Sequence, residues 1–171
     1  MFSQNELIHA AAWPSFSVYR GGAYQLGSDV NVGAARQHAV EGQCFVLSAC
    51  ATVSKEMIDM MCDTEAKRQF LLEGGGYANI FGPDGQMLVE PLGETEEGIL
   101  IAEIDLNMIA IAKAAADPTG HYSRPDVFRL MFNRSKNPRV MNFDDGLRAV
   151  NGDDVVTKAE AQLDAVIEQV E

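Results

Sequence analysis

Three cysteines and three histidines carry the side chains of this 171-residue chain best suited to nucleophilic or metal chemistry: Cys44, Cys50, Cys62, His9, His38 and His121. A thiol nucleophile needs a base or a positive neighbour to hold its thiolate, and a zinc site needs closely paired ligands. Cys44 and Cys50 stand six apart on one apolar run and Cys62 sits in a helical pattern, so the spacing favours core packing, and no metal is expected. His9 lies inside an apolar strand-like run and His38 inside a helix-like one, and each reads as a structural residue. His121, in a loop bracketed by Pro118, Gly120, Arg124 and Pro125, is the remaining candidate base. Whether it could serve Cys44 or Cys50 stays open. Glu41 reads as a helix-end carboxylate. Gly74-Gly75-Gly76 follows a helical pattern instead of joining strand to helix, so it reads as a helix stop and not as a phosphate cradle. Taken alone, these residues assemble no active site.

The elements that would have to position them are clearer. From Gln43 to Val53 both alternating faces are apolar or small, the pattern of a strand covered on both sides. Helical patterns flank it, Asp29 to Glu41 before and Ser54 to Glu73 after, which together describe a layered α/β domain. Leu7 to Trp13 reads as a further strand that Pro14 ends. Ser28 or Asp29 is the expected cap of the first helix, whose inner face is Val32, Ala35 and Ala39. Ser54 caps the second, with Asp63-Thr64 as a possible interruption. Tyr77 to Phe81 and Gln86 to Leu92 flank Gly82-Pro83-Asp84-Gly85, a hairpin turn. Gly98 to Ile104 is expected as a strand, Leu106 to Ala116 as a helix capped by Asp105, and Asp126 to about Phe132 as a short helix. Residues 1–132 form the expected domain. Residues 133–171 are a polar tail ending in an amphipathic helix, with Val156, Ala159, Leu163, Val166 and Val170 on one stripe.

Composition bounds the function. Net charge is −12, from 13 basic and 25 acidic residues, which argues against nucleic acid and anionic membranes as partners. No apolar run approaches the ~20 residues a membrane span requires. Three cysteines in apolar surroundings suit a reducing, cytoplasmic location better than a disulfide framework. No phosphate- or dinucleotide-binding motif is present, and no cofactor is expected.

Five stretches, in order, resemble the nitrilase branch of the carbon–nitrogen hydrolase superfamily: Ser3-Gln-Asn-Glu-Leu-Ile-His-Ala-Ala-Ala-Trp-Pro-Ser-Phe-Ser17, Ala39-Val-Glu-Gly-Gln-Cys-Phe-Val-Leu47, Glu56-Met-Ile-Asp-Met60, Gly74-Gly-Gly-Tyr-Ala-Asn-Ile-Phe-Gly-Pro-Asp-Gly85 and Asp117-Pro-Thr-Gly-His-Tyr-Ser-Arg-Pro-Asp-Val127. They cover about residues 1–140. The resemblance implies an αββα sandwich, in a homo-oligomer, that hydrolyses small-molecule nitriles to carboxylic acid and ammonia. A cysteine thiolate adds to the nitrile carbon, a thioimidate and then a thioester follow, a glutamate serves as base and a lysine stabilises the developing charge.

The family's nucleophile sits in a Cys-Trp-Glu motif, and this chain contains no Cys-Trp pair, since its one tryptophan is Trp13. None of the three cysteines matches the nucleophile position, and the base and the lysine have no counterpart. The resemblance therefore implies a C-terminal portion, with Met1 corresponding to the interior of a complete subunit, inactive alone and with no catalytic residue of its own. Trp13 and Pro14 match a wall of the substrate pocket. Half a sandwich is expected to aggregate or fold loosely by itself. Two other readings stand beside this one: a non-catalytic partner of a complete nitrilase subunit, and an independent cysteine hydrolase using His121.

Overall fold

The computed structural model of the chain describes residues 1–17, 23–134, 142–143 and 149–150. The expected amphipathic helix at the C-terminus and part of the loop after Ser17 lie outside them. Two compact units are present, Met1–Pro125 and Asp126–Glu171. In the second, the described residues include a short antiparallel pair, β4 (Asn142–Phe143) and β5 (Ala149–Val150).

The first unit is built on a mixed sheet in the order β1-β2-β3: β1 (Ile8–Trp13), β2 (Phe45–Cys50) and β3 (Asn79–Phe81). β1 and β2 run parallel, in register from Ile8 opposite Phe45 to Trp13 opposite Cys50. β3 is antiparallel to β2, with Phe81 opposite Val46 and Asn79 opposite Ser48. A parallel pair needs a crossover connection, and helix α1 (Ser28–Gly42) supplies it. Period-two alternation puts His9, Ala11 and Trp13 of β1 and Val46, Ser48 and Cys50 of β2 on one face. There Ala35 and Ala39 of α1 pack with Cys44, Val46 and Phe81 as a buried cluster, flanked by Ala11 and Val32. Small alanines let the helix approach closely. Val46 and Phe81, fully buried, contribute roughly 1.5–3 kcal/mol each. The Arg36 guanidinium lies over the Phe81 ring, 5.2 Å from its centroid.

The opposite face differs from the expectation for β2. Leu47 is 39% exposed, Ile8 45%, and Ala10, Ala12 and Ala49 are also exposed. Only Phe45 and Ile80 are buried on that side. From Leu47 onward β2 is covered on its helix side and open on the other.

Local signals held in several places. Ser54 Oγ accepts from Met57 N at the start of α2 (Lys55–Met61), and Thr64 Oγ1 accepts from Lys67 N at the start of α3 (Glu65–Phe70). The helical pattern from 54 to 73 is thus two helices. Asp59 joins them through Arg68 at 2.7 Å and also pairs with Lys55 of its own helix at 2.6 Å. The Gly82–Gly85 turn forms, with Gly85 at φ +81°, and the returning segment bonds back through Leu88 N to Ile80 O and Leu92 N to Ala78 O, but it makes only an isolated bridge, Phe81 with Met87, in place of the expected strand over 86–92. Asp105 Oδ1 accepts from Asn107 N, but the N-cap of α4 (Asn107–Ala115) is Leu106, without a side-chain cap bond, so Asp105 stands one residue before the cap position expected for it.

Other expectations are corrected. Neither Ser28 nor Asp29 caps α1; Gly27 is its N-cap, without a side-chain hydrogen bond. At the other end Gln43 adopts φ +45° and its side chain donates to the carbonyls of Val40 (2.8 Å) and Ala116 (2.6 Å). Residues 98–104 form no strand, because no neighbour among the described residues pairs with them, and Ile99 and Ile101 are 87% and 82% exposed. Residues 126–132 hold a turn followed by irregular chain in place of a helix. Among the described residues no helix is long and apolar enough to cross a membrane.

Candidate functional site

The carboxyl ends of the parallel strands meet at one rim, the place where open α/β sheets commonly bind ligands. Trp13 ends β1 and Cys50 ends β2, opposite one another in the register. Pro14 then turns the chain away, and the following loop is tied to Gly74-Gly75-Gly76. Phe16 N donates to Gly75 O at 2.8 Å and Ser15 Oγ to Gly74 O at 2.8 Å. The same glycines bond to the segment after β2, with Val53 and Gly74 exchanging both backbone bonds, and to Glu94 through Gly76 N. Gly74 and Gly75 have φ +92° and +78°, and a Cβ on Gly75 would lie 2.3 Å from Ser15 Oγ and from Ser17 N. The triplet is a crossing point of three backbone segments. It is not the helix stop, since α3 already ends at Phe70.

Aromatic rings line this rim. Trp13 and Phe16 lie with centroids 5.8 Å apart, and Phe16 stacks on Tyr77 at 6.4 Å. The Tyr77 hydroxyl lies 3.3 Å from Glu94 Oε2. The Trp13 Nε1 is buried and has no hydrogen-bond partner among the described residues. Trp13 and Pro14 are therefore brought together with Cys50, Phe16 and the glycine crossing.

Neither Cys44 nor Cys50 sits in surroundings that favour its thiolate. Cys50 Sγ lies 3.3 Å from the carbonyl oxygens of both Pro14 and Gly75, and burial pushes its thiol up despite backbone groups of Tyr77 and Phe16 that favour the thiolate. Burial, reinforced by the Glu6 charge, pushes Cys44 up to about 11. Both shifts oppose the low thiol pKa that a nucleophile requires. His121 packs against Tyr122, centroids 4.9 Å apart, and no hydrogen bond among the described residues joins it to a cysteine. The cysteine hydrolase reading built on His121 has no geometry behind it.

His9 and His38, which read separately as structural, meet across Glu6. Glu6 Oε1 lies 2.9 Å from His9 Nδ1, and Oε2 lies 3.4 Å from His38 Nε2. Burial alone would raise the Glu6 carboxyl, but the hydrogen bonds from the two imidazoles prevail and hold it below its ordinary value. Nothing in the sequence spacing links Glu6 to His38, 32 residues away. The contact exists because α1 packs on the sheet beside β1.

With fold and rim described, the relatives can be set beside them. Residues 16–114 match the carbon–nitrogen hydrolase family model. The chain belongs to the carbon–nitrogen hydrolase family, in its nitrilase branch. Over 145 residues it is 59% identical to a nitrilase of Pseudomonas syringae pv. syringae, covering 85% of this chain and 43% of that protein. It is 43% identical to an aliphatic nitrilase of Rhodococcus rhodochrous over 173 aligned residues, covering 100% of this chain and 45% of the relative. An arylacetone-specific nitrilase of Alcaligenes faecalis is 44% identical over 133 residues, 78% of this chain and 37% of that protein. The chain thus spans under half the length of the curated relatives it matches.

Proposed function

We propose that this chain supplies one wall of the substrate pocket of a nitrilase that converts organic nitriles to carboxylic acid and ammonia. The observation that carries the reading is the rim at which Trp13 and Cys50 pair, in a chain 59% identical to a nitrilase. Trp13 and Pro14 form that wall, and the buried indole N–H is its polar group. In the complete reaction a thiolate attacks the nitrile carbon. One water then replaces nitrogen as ammonia, and a second releases the acid from the thioester. The thiolate, the glutamate base and the lysine are to come from another part of the parent enzyme, and the chain alone is inactive.

Half of an αββα sandwich is the matching architecture. The exposed row Ile8, Ala10, Ala12, Leu47 and Ala49 supports it, being the kind of apolar sheet face that a second layer covers. A homo-oligomeric, cytoplasmic enzyme remains part of the reading. In α1, Ala35 and Ala39 are buried against the sheet, and Val30, Ala34, Gln37 and Val40 face outward, which is the surface such an oligomer could use.

The test is ammonia release from aliphatic and aromatic nitriles. The purified chain should give none. Together with a polypeptide carrying the Cys-Trp-Glu segment, activity should appear, and Trp13→Ala should change the relative rates on small and bulky nitriles. Ammonia production by the chain alone, abolished by thiol alkylation, would overturn the reading. So would relative rates unmoved by Trp13→Ala.

A further inference from the structure

We propose that Glu6, His9 and His38 form a binding site for a divalent transition-metal ion of the zinc type, set apart from the substrate rim.

The three donors come from three segments. Glu6 lies in the turn leading into β1, His9 is the second residue of that strand, and His38 stands near the end of α1. Ala11 of β1 packs against the cluster that holds Ala35 and Ala39 of α1. His9 is two residues from Ala11 on the same strand face, and His38 is beside Ala39, so the core contact itself brings the imidazoles together. Their ring centroids are 4.1 Å apart, at an interplanar angle of 36°. A second contact holds His38 from the other side. The Phe2 ring lies 4.8 Å from it and fills the space over Gly42, where a Cβ would come within 2.6 Å of Phe2.

Distances fit an ion. One donor atom from each residue can be chosen so that all three lie within 4.8 Å of one another. Zinc bonds of about 2.0–2.1 Å in tetrahedral geometry place ligand atoms about 3.4 Å apart. The Glu6–His38 contact is 3.4 Å and the Glu6–His9 contact 2.9 Å, on different oxygens of the carboxylate, so both imidazoles already face the one carboxylate group that an ion would share. The side chains are 16–27% exposed, shielded enough to hold an ion and open enough to admit one. Two imidazoles and one carboxylate suit zinc and its first-row neighbours, whereas magnesium and calcium prefer all-oxygen sites. A three-residue set leaves a fourth position for water.

Location assigns the role. His9 and Trp13 are four residues apart on one strand, roughly 13 Å at ~3.3 Å per residue. An ion there pins α1 to β1 and takes no part in chemistry at the rim.

The experiment uses the untagged chain, stripped with a chelator and titrated with zinc chloride against a chromophoric chelator, with thermal midpoints measured in parallel. One equivalent should bind and raise the midpoint. Glu6→Gln, His9→Asn and His38→Asn should each weaken binding at least tenfold, while His121→Asn, outside the cluster, should not. Where a variant fails to fold, histidine modification of the unaltered chain decides: zinc should protect His9 and His38 from diethyl pyrocarbonate and leave His121 reactive. The proposal is overturned if zinc does not bind, if binding survives loss of both His9 and His38, or if all three histidines are protected alike.

Discussion

Asp117 shows how much one side chain can organise. Its Oδ1 accepts from Thr119 N, Thr119 Oγ1 and Gly120 N, each at 3.0 Å, while Lys113 Nζ lies 3.5 Å from Oδ2. The Asp117 carbonyl also accepts from Gly120 N and Tyr122 N. Burial would raise its carboxyl, but the hydrogen bonds of Thr119 and Gly120 and the Lys113 charge prevail and hold it below the ordinary carboxylate range. A carboxyl with a lowered native pKa adds stability above its unfolded value, about pH 3.9 for Asp, and that stability is lost as pH falls through the native value. Asp117→Asn should therefore lower the thermal midpoint at pH 7 by a few degrees and flatten its fall below about pH 4. Equal acid dependence in the two proteins would show that Asp117 is not the group responsible. The sequence marks Asp117-Pro118-Thr119-Gly120 as a turn because its residue types are turn formers. That the carboxylate binds the two residues ahead follows from the same types. The union of Glu6, His9 and His38 did not, since it depends on a helix landing on a strand.

Among the elements, the glycine crossing has the largest expected effect. Gly75→Ala would force a Cβ against the Ser15 hydroxyl and the Ser17 amide, at a φ that L-residues rarely adopt. Both obstacles are tied into the rim, so neither can withdraw cheaply. The expected loss is about 2–4 kcal/mol, seen as a large drop in denaturation midpoint. Gly33→Ala, where a Cβ meets nothing within 4 Å, should be neutral or slightly stabilising. A Gly75→Ala protein as stable as its parent would refute the crossing as a packing constraint. The contrast explains what was legible here. Ser54 and Thr64 cap helices through bonds to residues three positions on, so local sequence revealed them. Ala35 and Ala39 followed from helical period. Gly74-Gly75-Gly76 looked like punctuation because its partners, Ser15, Phe16, Val53 and Glu94, are remote in the chain. Residues 98–104 had a strand's composition, but composition does not supply a neighbouring strand.

At the scale of the molecule, one sheet face carries the core and the other is open. The row Ile8, Ala10, Ala12, Leu47 and Ala49 is apolar and exposed, and it borders a groove that Leu47, Ala49, Ile80, Leu92 and the exposed Ile99 line. Patches of this kind promote association, and the net charge of −12 opposes it only over a Debye length of about 8 Å at physiological salt. The buried helix-side cluster makes self-association through the open face the expected outcome, in place of general unfolding. Size-exclusion chromatography should give species larger than a monomer, and a dye for apolar surfaces should bind. A sharp monomer peak without dye binding would contradict this. The crossing at Gly74 and Gly75 has a further consequence, in time. β1, α1 and β2 can associate within the first 50 residues, but the Ser15–Gly74 bond closes a span of 59 residues. A tie that joins the first strand to the second half of the chain is expected to form after the parallel pair. Ser15→Ala, which removes it, should then speed unfolding more than it slows folding, as read from the two arms of a denaturant-dependent rate measurement.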